Sequence, residues 1–179
     1  MKLLGLSGSL RLGSLNQIAL HTLDSLGYPI DVYDDGDVPL YDPNAKSRPA
    51  AVDRLVAAIE SADAVIIATP EYNYSIPGVL KNALDWASRP AYQSPFRSKP
   101  VAVLSATTSP LGGVRAQQHL KTILLGMVAQ VFPWPELAIG NGAAKVSDGL
   151  VKEPEAVARL DAFVTAFTEW ARTIPSHIG

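Results

Sequence analysis

Gly5-Leu-Ser-Gly-Ser-Leu-Arg-Leu-Gly-Ser-Leu-Asn16 follows a short apolar run, Met1 to Leu6, and leads into a helical pattern that begins near Leu15. Its Gly and hydroxyl residues therefore occupy a strand-to-helix turn. The first N–H groups of a helix have no internal acceptor and sit at the positive end of the helix dipole, so such a turn suits an anion, a phosphate above all. Ser7, Ser9, Ser14 and Asn16 add side-chain donors, and Arg11 adds a fixed cation whose charge-assisted bonds are worth about 1.5–3 kcal/mol each. Gly8 and Gly13 let the backbone approach the ligand. A plainer alternative remains for the same residues: a Ser/Gly-rich turn that only caps a helix.

Spacing narrows the choice of phosphate ligand. There is no G-x-x-x-x-G-K-[ST], so a nucleoside triphosphatase loop is not expected, and Gly5, Gly8 and Gly13 do not fit G-x-G-x-x-G. Gly5-Leu6-Ser7-Gly8-Ser9 also lacks the last Gly of the hydrolase elbow. Composition narrows the class further. The chain has 179 residues, 47% hydrophobic and 18% charged, which suits one globular domain over 1–179. With 15 Lys+Arg against 17 Asp+Glu, net charge −2, and no basic run, nucleic acid is not the expected partner. Cysteine is absent, which removes disulfides and thiol chemistry, so any electrons must travel on a cofactor. No apolar run approaches the roughly 18 residues that cross a bilayer, and no leader precedes the first strand; no membrane role and a cytoplasmic location are the expectation.

Along the chain, Leu15, Ile18, Ala19, Thr22, Leu23 and Leu26 fall at helical spacing, closed by Gly27. Ile30 to Tyr33 alternates as a second strand. Residues 34 to 50 read as loop, with Pro39, Pro43 and Pro49; its Pro39-Leu40-Tyr41 reads as a surface turn, with the border of a pocket as the alternative. Val52, Leu55, Val56 and Ile59 mark a second helix. Ala64-Val-Ile-Ile-Ala-Thr69 is continuously apolar, as expected of a central parallel strand covered on both faces. Pro70-Glu-Tyr-Asn-Tyr-Ser-Ile-Pro-Gly78 follows it, then a helix through Leu80, Leu84 and Ala87. Pro100 to Leu104 is the fourth strand, and Ser105 to Gly113 a third hydroxyl-rich loop before the helix from Val114. A fifth strand spans about Val131 to Ile139; Pro133 and Pro135 put it at an edge or make it irregular. Gly140 to Lys152 reads as loop, and Pro154 starts the last helix.

Strands alternating with helices imply an open α/β architecture: a three-layer sandwich, a five-stranded parallel sheet with helices on both faces. Ligands of such sheets bind beyond the strand carboxyl ends, where strand order reverses; in the flavodoxin-like order 2-1-3-4-5 that point lies between strands 1 and 3 and holds FMN. Two long motifs agree. Gly8-Ser-Leu-Arg-x-Gly-Ser-x-Asn16 and Pro70-Glu-Tyr-Asn-Tyr-Ser-x-Pro-Gly-x-Leu-Lys-Asn-Ala-Leu-Asp-Trp86, with Gly112-Gly113-Val-Arg-Ala116, resemble the NADPH-dependent FMN reductase family, in particular its quinone and chromate reductase branch. The resemblance implies that Ser9, Arg11, Ser14, Leu15 and Asn16 hold the FMN phosphate. It likewise implies that Pro70, Glu71, Tyr72, Asn73 and Tyr74 line the flavin ring, together with Ser105, Ala106 and Thr107.

By the same resemblance, a bound FMN takes hydride from NADPH or NADH and passes electrons to a small-molecule acceptor: a quinone, azo compound, metal oxyanion or free flavin. The protein positions the rings, so no catalytic side chain is named. A homodimer or homotetramer is implied, and Arg115, Trp86 and Glu136 are candidates for its contacts. His21, His119 and His177 show no metal-ligand spacing. Two other classes compete, a flavodoxin-type electron carrier that docks on a partner protein without nicotinamide turnover and a non-catalytic nucleotide-binding domain; the near-balanced charge disfavours the carrier.

Overall fold

In the computed structural model, which describes residues 1–33 and 36–175, the sheet is made from the most continuously apolar segments of the chain. β3 (Ala64–Ala68) and β4 (Pro100–Ala106) are buried at every residue, and β1 (Leu3–Ser7) at all but its last. They pair in parallel with β2 (Ile30–Tyr33) at one edge: Leu3 lies opposite both Ile30 and Ala64, and Val65 opposite Val101. Strand order is 2-1-3-4-5, the doubly wound arrangement expected.

Successive residues along each strand point to opposite faces, and each face has its own core. Leu3, Ile66, Ala102 and Leu104 pack against α1 (Leu15–Ser25) and α5 (Pro154–Ala171) through Leu20, Leu23, Leu160, Phe163 and Phe167. Leu4, Leu6, Val65, Ile67 and Val103 pack against α2 (Ala50–Ser61), α3 (Gly78–Ala87) and α4 (Val114–Gly126) through Leu55, Ile59, Leu80, Leu84, Leu120 and Leu124. This three-layer arrangement leaves the strand ends as the place where loops can gather.

The fifth strand departs from a single element. β5 (Gln130–Val131) pairs with Pro100 and Val101 and β6 (Leu137–Ile139) with Leu104 to Ala106, so two short pieces share the edge position beside β4 and the sheet has six strands in all. Pro133 and Pro135 lie in the gap, where their missing N–H groups cost no ladder bond. Phe132 fills the break from inside, its ring within 5.9 Å of those of Trp134, Phe163, Phe167 and Trp170.

The loop reading of 140–152 is also corrected. The segment holds a 3-10 turn (Gly142–Lys145) and an antiparallel hairpin of β7 (Val146–Ser147) and β8 (Leu150–Val151). Asp148 and Gly149, both at positive φ, form the Asp-Gly turn that favours two-residue hairpins, but strands of two residues leave no alternation to read. Val151 N–H donates to the buried Thr22 Oγ1 at 3.0 Å, tying the hairpin to α1.

Past the strand ends the ladder continues for one more rung each. Gly8 N–H donates to Ala68 O at 2.8 Å, Thr69 N–H to Leu104 O at 3.0 Å, and Thr107 N–H to Ile139 O at 3.0 Å. The three candidate loops therefore leave the sheet from one edge. Gly8 permits this closeness: a Cβ there would stand 3.0 Å from both Leu80 Cδ2 and Thr69 Oγ1.

Gly140 is tighter still, since a Cβ would lie 2.2 Å from Pro110 O, a backbone atom that cannot swing away. Gly140→Ala is expected to destabilise the fold by about 1–3 kcal/mol or more, as overpacking does. The urea midpoint would fall accordingly, and an unchanged midpoint would contradict the packing described.

Candidate functional site

The first turn is folded on itself before any ligand arrives. Ser14 N–H donates to Arg11 O at 3.0 Å, and Arg11 N–H to Ser9 Oγ at 3.3 Å. Ser14 is the N-cap of α1, its Oγ accepting from Gln17 N–H at 3.4 Å. Leu15 and Asn16 follow in the first turn of the helix, where backbone N–H groups have no intrahelical acceptor. Ser9 and Ser14 are buried and Arg11 is exposed, so the turn offers two sheltered hydroxyls and a solvent-facing guanidinium.

Asn16 has a role that its spacing did not reveal. The side chain is 2% exposed; Nδ2 donates to Ala106 O at 2.9 Å, and Oδ1 accepts from Ala106 N–H at 2.9 Å. Both ends of the amide thus bind the backbone N–H and C=O of one residue at the end of β4, joining the first loop to the third. Ser105 is likewise internal: its O–H donates to Gly112 O at 2.6 Å and its Oγ accepts from Gln117 Nε2 at 2.6 Å. It shapes the third loop from below.

The second loop is a tight turn. Tyr72 N–H donates to Ser75 O at 2.9 Å and Ser75 N–H to Tyr72 O at 3.1 Å, with Asn73 and Tyr74 both at positive φ between them. A tyrosine in the left-handed region costs about 1–2 kcal/mol. It is held there from the α4 side, by the Arg115 guanidinium 4.5 Å from the Tyr74 ring centroid, a contact worth about 0.5–2 kcal/mol. Glu71 serves the same end. Its carboxylate accepts from Arg115 N–H at 3.2 Å and from Arg115 Nη1 at 2.8 Å, supplying the anion at the head of α4 that the N-cap Gly113 cannot. Ser75 Oγ and His119 Nδ1 lie 2.9 Å apart, a third tie between the turn and α4.

Between the loops lies a cavity of about 190 Å³. Ser9, Arg11, Ser14, Leu15 and Asn16 line it from the first loop, Pro70 and Tyr72 from the second, and Ala106 and Thr107 from the third. Glu71, Asn73, Tyr74 and Ser105 do not line it; they set the shape of the loops that do. Gly13, read from the sequence as letting the backbone approach a ligand, lines it too, and Thr108 and Ala143 line it without having been singled out. Gly13 and Thr108 sit inside motifs already read as ligand loops. Ala143 arrives from the 3-10 turn after β6, braced by Gly142 N–H donating to Thr107 O at 2.8 Å, and nothing in an alanine marks such a role.

Comparison with known proteins decides which chemistry this cradle belongs to. The family model described as NADPH-dependent FMN reductase matches residues 1–144. The chain belongs to that family. It is 41% identical to the NAD(P)H-dependent FMN reductase of Pseudomonas aeruginosa and 38% identical to the quinone reductase of Escherichia coli, each alignment covering 97% of both chains. The solved structure of FerB, a flavoenzyme NAD(P)H:(acceptor) oxidoreductase from Paracoccus denitrificans, superposes with a TM-score of 0.87 at 36% identity, covering 97% of this chain and 98% of that one. The protein is an FMN-dependent NAD(P)H oxidoreductase of flavodoxin-like fold.

The donor set suits FMN on its own terms. A dianionic phosphate there would meet hydroxyls, helix N–H groups and one guanidinium, and among the described residues no carboxylate lines the cavity. Other sequence candidates resolve differently. Trp86 is buried, its Nε1 donating to Pro39 O at 2.8 Å, so it is no surface contact. Glu136 pairs with Lys121 at 3.0 Å, which holds its carboxyl below the usual range. His21 is exposed on α1, and His177 lies outside the described residues. Among the described residues no three His, Cys, Asp or Glu gather as metal ligands, and no helix is long and apolar enough to cross a membrane.

Combining Arg11→Ala with Ser14→Ala is expected to weaken FMN binding by about 3–5 kcal/mol while leaving riboflavin, which lacks the phosphate, nearly unaffected. Fluorescence quenching titrations read both constants. Equal losses for the two flavins would show that the turn does not hold the phosphate.

Proposed function

We propose that this protein reduces quinones with NAD(P)H, using FMN held between the three loops. The observation that carries the reading is convergence: an anion turn, an aromatic turn and a hydroxyl-rich loop meet at one cavity on the switch-point edge of the sheet. Bound there, FMN supplies a two-electron relay, so that NAD(P)H and a proton from water together convert a quinone to its hydroquinone.

The chain's own part is binding and orientation. Ser9, Arg11, Ser14 and the N–H groups of Leu15 and Asn16 take the phosphate, and Pro70, Ala106 and Thr107 wall the ring by shape, their backbone N–H groups being absent or already bonded. Tyr72, 48% exposed at the cavity wall, presents an aromatic face that a flat nicotinamide or quinone can stack on. Glu71, Asn73, Tyr74 and Ser105 hold these groups in place from behind. Among the described residues no carboxylate, imidazole or amine lines the cavity, and in this reading the proton that completes the hydroquinone is drawn from water.

Charge disfavours the alternative of an electron carrier docking on a protein: a net charge of −2 gives little long-range steering toward a basic partner. The exposed rings of Tyr72 and Tyr74 suit contact with a second copy of the chain, and a homo-oligomer is part of the reading. The unit is a single domain over 1–179, and its nicotinamide co-substrate fits a cytoplasmic setting.

The purified protein is expected to be yellow, to bleach rapidly with NADPH or NADH under anaerobic conditions, and to regain colour on adding a benzoquinone. Colour without bleaching by either nucleotide would favour the carrier instead.

A further inference from the structure

A second cavity, about 420 Å³ and more than twice the size of the first, opens on the far side of the Ser9 turn. Ser9 is a wall common to both. Leu6 from β1, Leu55 from α2 and Leu80 and Ala83 from α3 form the interior, and no Asp, Glu, Lys, Arg or His lines it among the described residues. Its volume falls in the range of small-molecule sites, which are mostly apolar.

The outer wall is the segment the sequence reads as a surface turn. Val38 and Leu40 line the cavity, so Pro39-Leu40-Tyr41 borders a pocket after all. Polar groups pin this strap to α3 from its backbone side. Pro39 O accepts from Asn82 Nδ2 at 2.8 Å and from Trp86 Nε1 at 2.8 Å, and Tyr41 N–H donates to Asn82 Oδ1 at 2.8 Å. The Tyr41 and Trp86 rings meet edge to face at 5.0 Å. Both ends of the Asn82 amide are consumed in holding the wall, and Tyr33 O–H donates to Ala51 O at 3.4 Å. The lining is therefore mostly hydrocarbon on a fixed frame, with the Ser7 and Ser9 hydroxyl residues at its β1 end. Leu10, 55% exposed, and Leu40, 86% exposed, stand apolar at its mouth.

We propose that this cavity takes the hydrocarbon substituent of an uncharged, alkyl- or isoprenyl-substituted quinone whose ring is reduced at the neighbouring flavin site. The inference rests on the quinone reductase reading. Three observations select this occupant: the cavity adjoins the flavin site through Ser9, no charged side chain lines it among the described residues, and its wall is pinned rather than collapsed. Transfer of methylenes from water to such a wall adds to binding in proportion to the chain buried.

The test compares a decyl-substituted 1,4-benzoquinone with its methyl-substituted counterpart on the FMN-loaded protein. KM for the decyl compound is expected to be at least about tenfold lower, as burial of several methylenes predicts. Ala83→Phe, which fills the cavity away from the flavin loops, is expected to abolish that advantage while turnover of the methyl quinone is kept. Decanol on the wild-type protein, which avoids any folding defect of the variant, is expected to compete with the decyl quinone and leave the methyl quinone unaffected. Equal KM values in the wild type, or decanol inhibiting both alike, would overturn the proposal. So would light scattering showing that Ala83→Phe splits an oligomer, since the cavity would then seat a second copy. Failure to reduce even the methyl quinone would instead strike at the quinone reductase reading, which separates the two outcomes.

Discussion

One side chain determines how far apart the flavin-binding loops sit. Asn16 stands in the first turn of α1 and closes two hydrogen bonds on Ala106, at the end of the strand two places across the sheet from its own. Parallel strands fix the spacing of their ends, but loops beyond those ends have no ladder to hold them. A buried primary amide can satisfy both the backbone donor and the backbone acceptor of one residue, and leaving either unpaired would cost about 1–3 kcal/mol. The gap between the phosphate turn and the third loop is thereby set by a rigid bond pair in a dry environment, before any ligand enters.

The other loops are fixed by the same economy of contacts. Ser105 and Gln117 brace the third loop from within. Glu71, Arg115 and Tyr74 hold the aromatic turn to the head of α4, so strain in the tyrosine backbone is balanced by a cation over its ring. Preorganisation of this kind lowers the ordering cost of binding. The pinned strap at 38–41 extends this logic to the neighbouring apolar cavity.

Much of this was legible in the sequence. Continuous apolarity in Ala64–Ala68 located the centre of the sheet, and Pro133 with Pro135 announced the broken edge. The turn of Ser9, Arg11 and Ser14 could be placed at the sheet edge because an apolar strand before it and a helical pattern after it are both displayed in sequence. Roles that depend on distant partners could not be read: Asn16 looks like one more phosphate donor until Ala106 is beside it. Ser105 looks like a ligand hydroxyl until Gln117 buries it, and Glu71 gains its partner from a residue 44 positions away. Ala143 and the 38–41 strap were missed or underrated for the same reason, since walls are made by position rather than by chemistry.

The central claim is that the Asn16 amide sets loop spacing for the whole flavin, not for its phosphate alone. Riboflavin affinity of Asn16→Leu, a substitution of similar size that cannot form either bond, tests it most directly. The account predicts that riboflavin and FMN binding both weaken by about tenfold or more, the effect of losing buried hydrogen bonds. Riboflavin affinity equal to that of the wild type, with FMN alone impaired, would contradict it and return Asn16 to the phosphate.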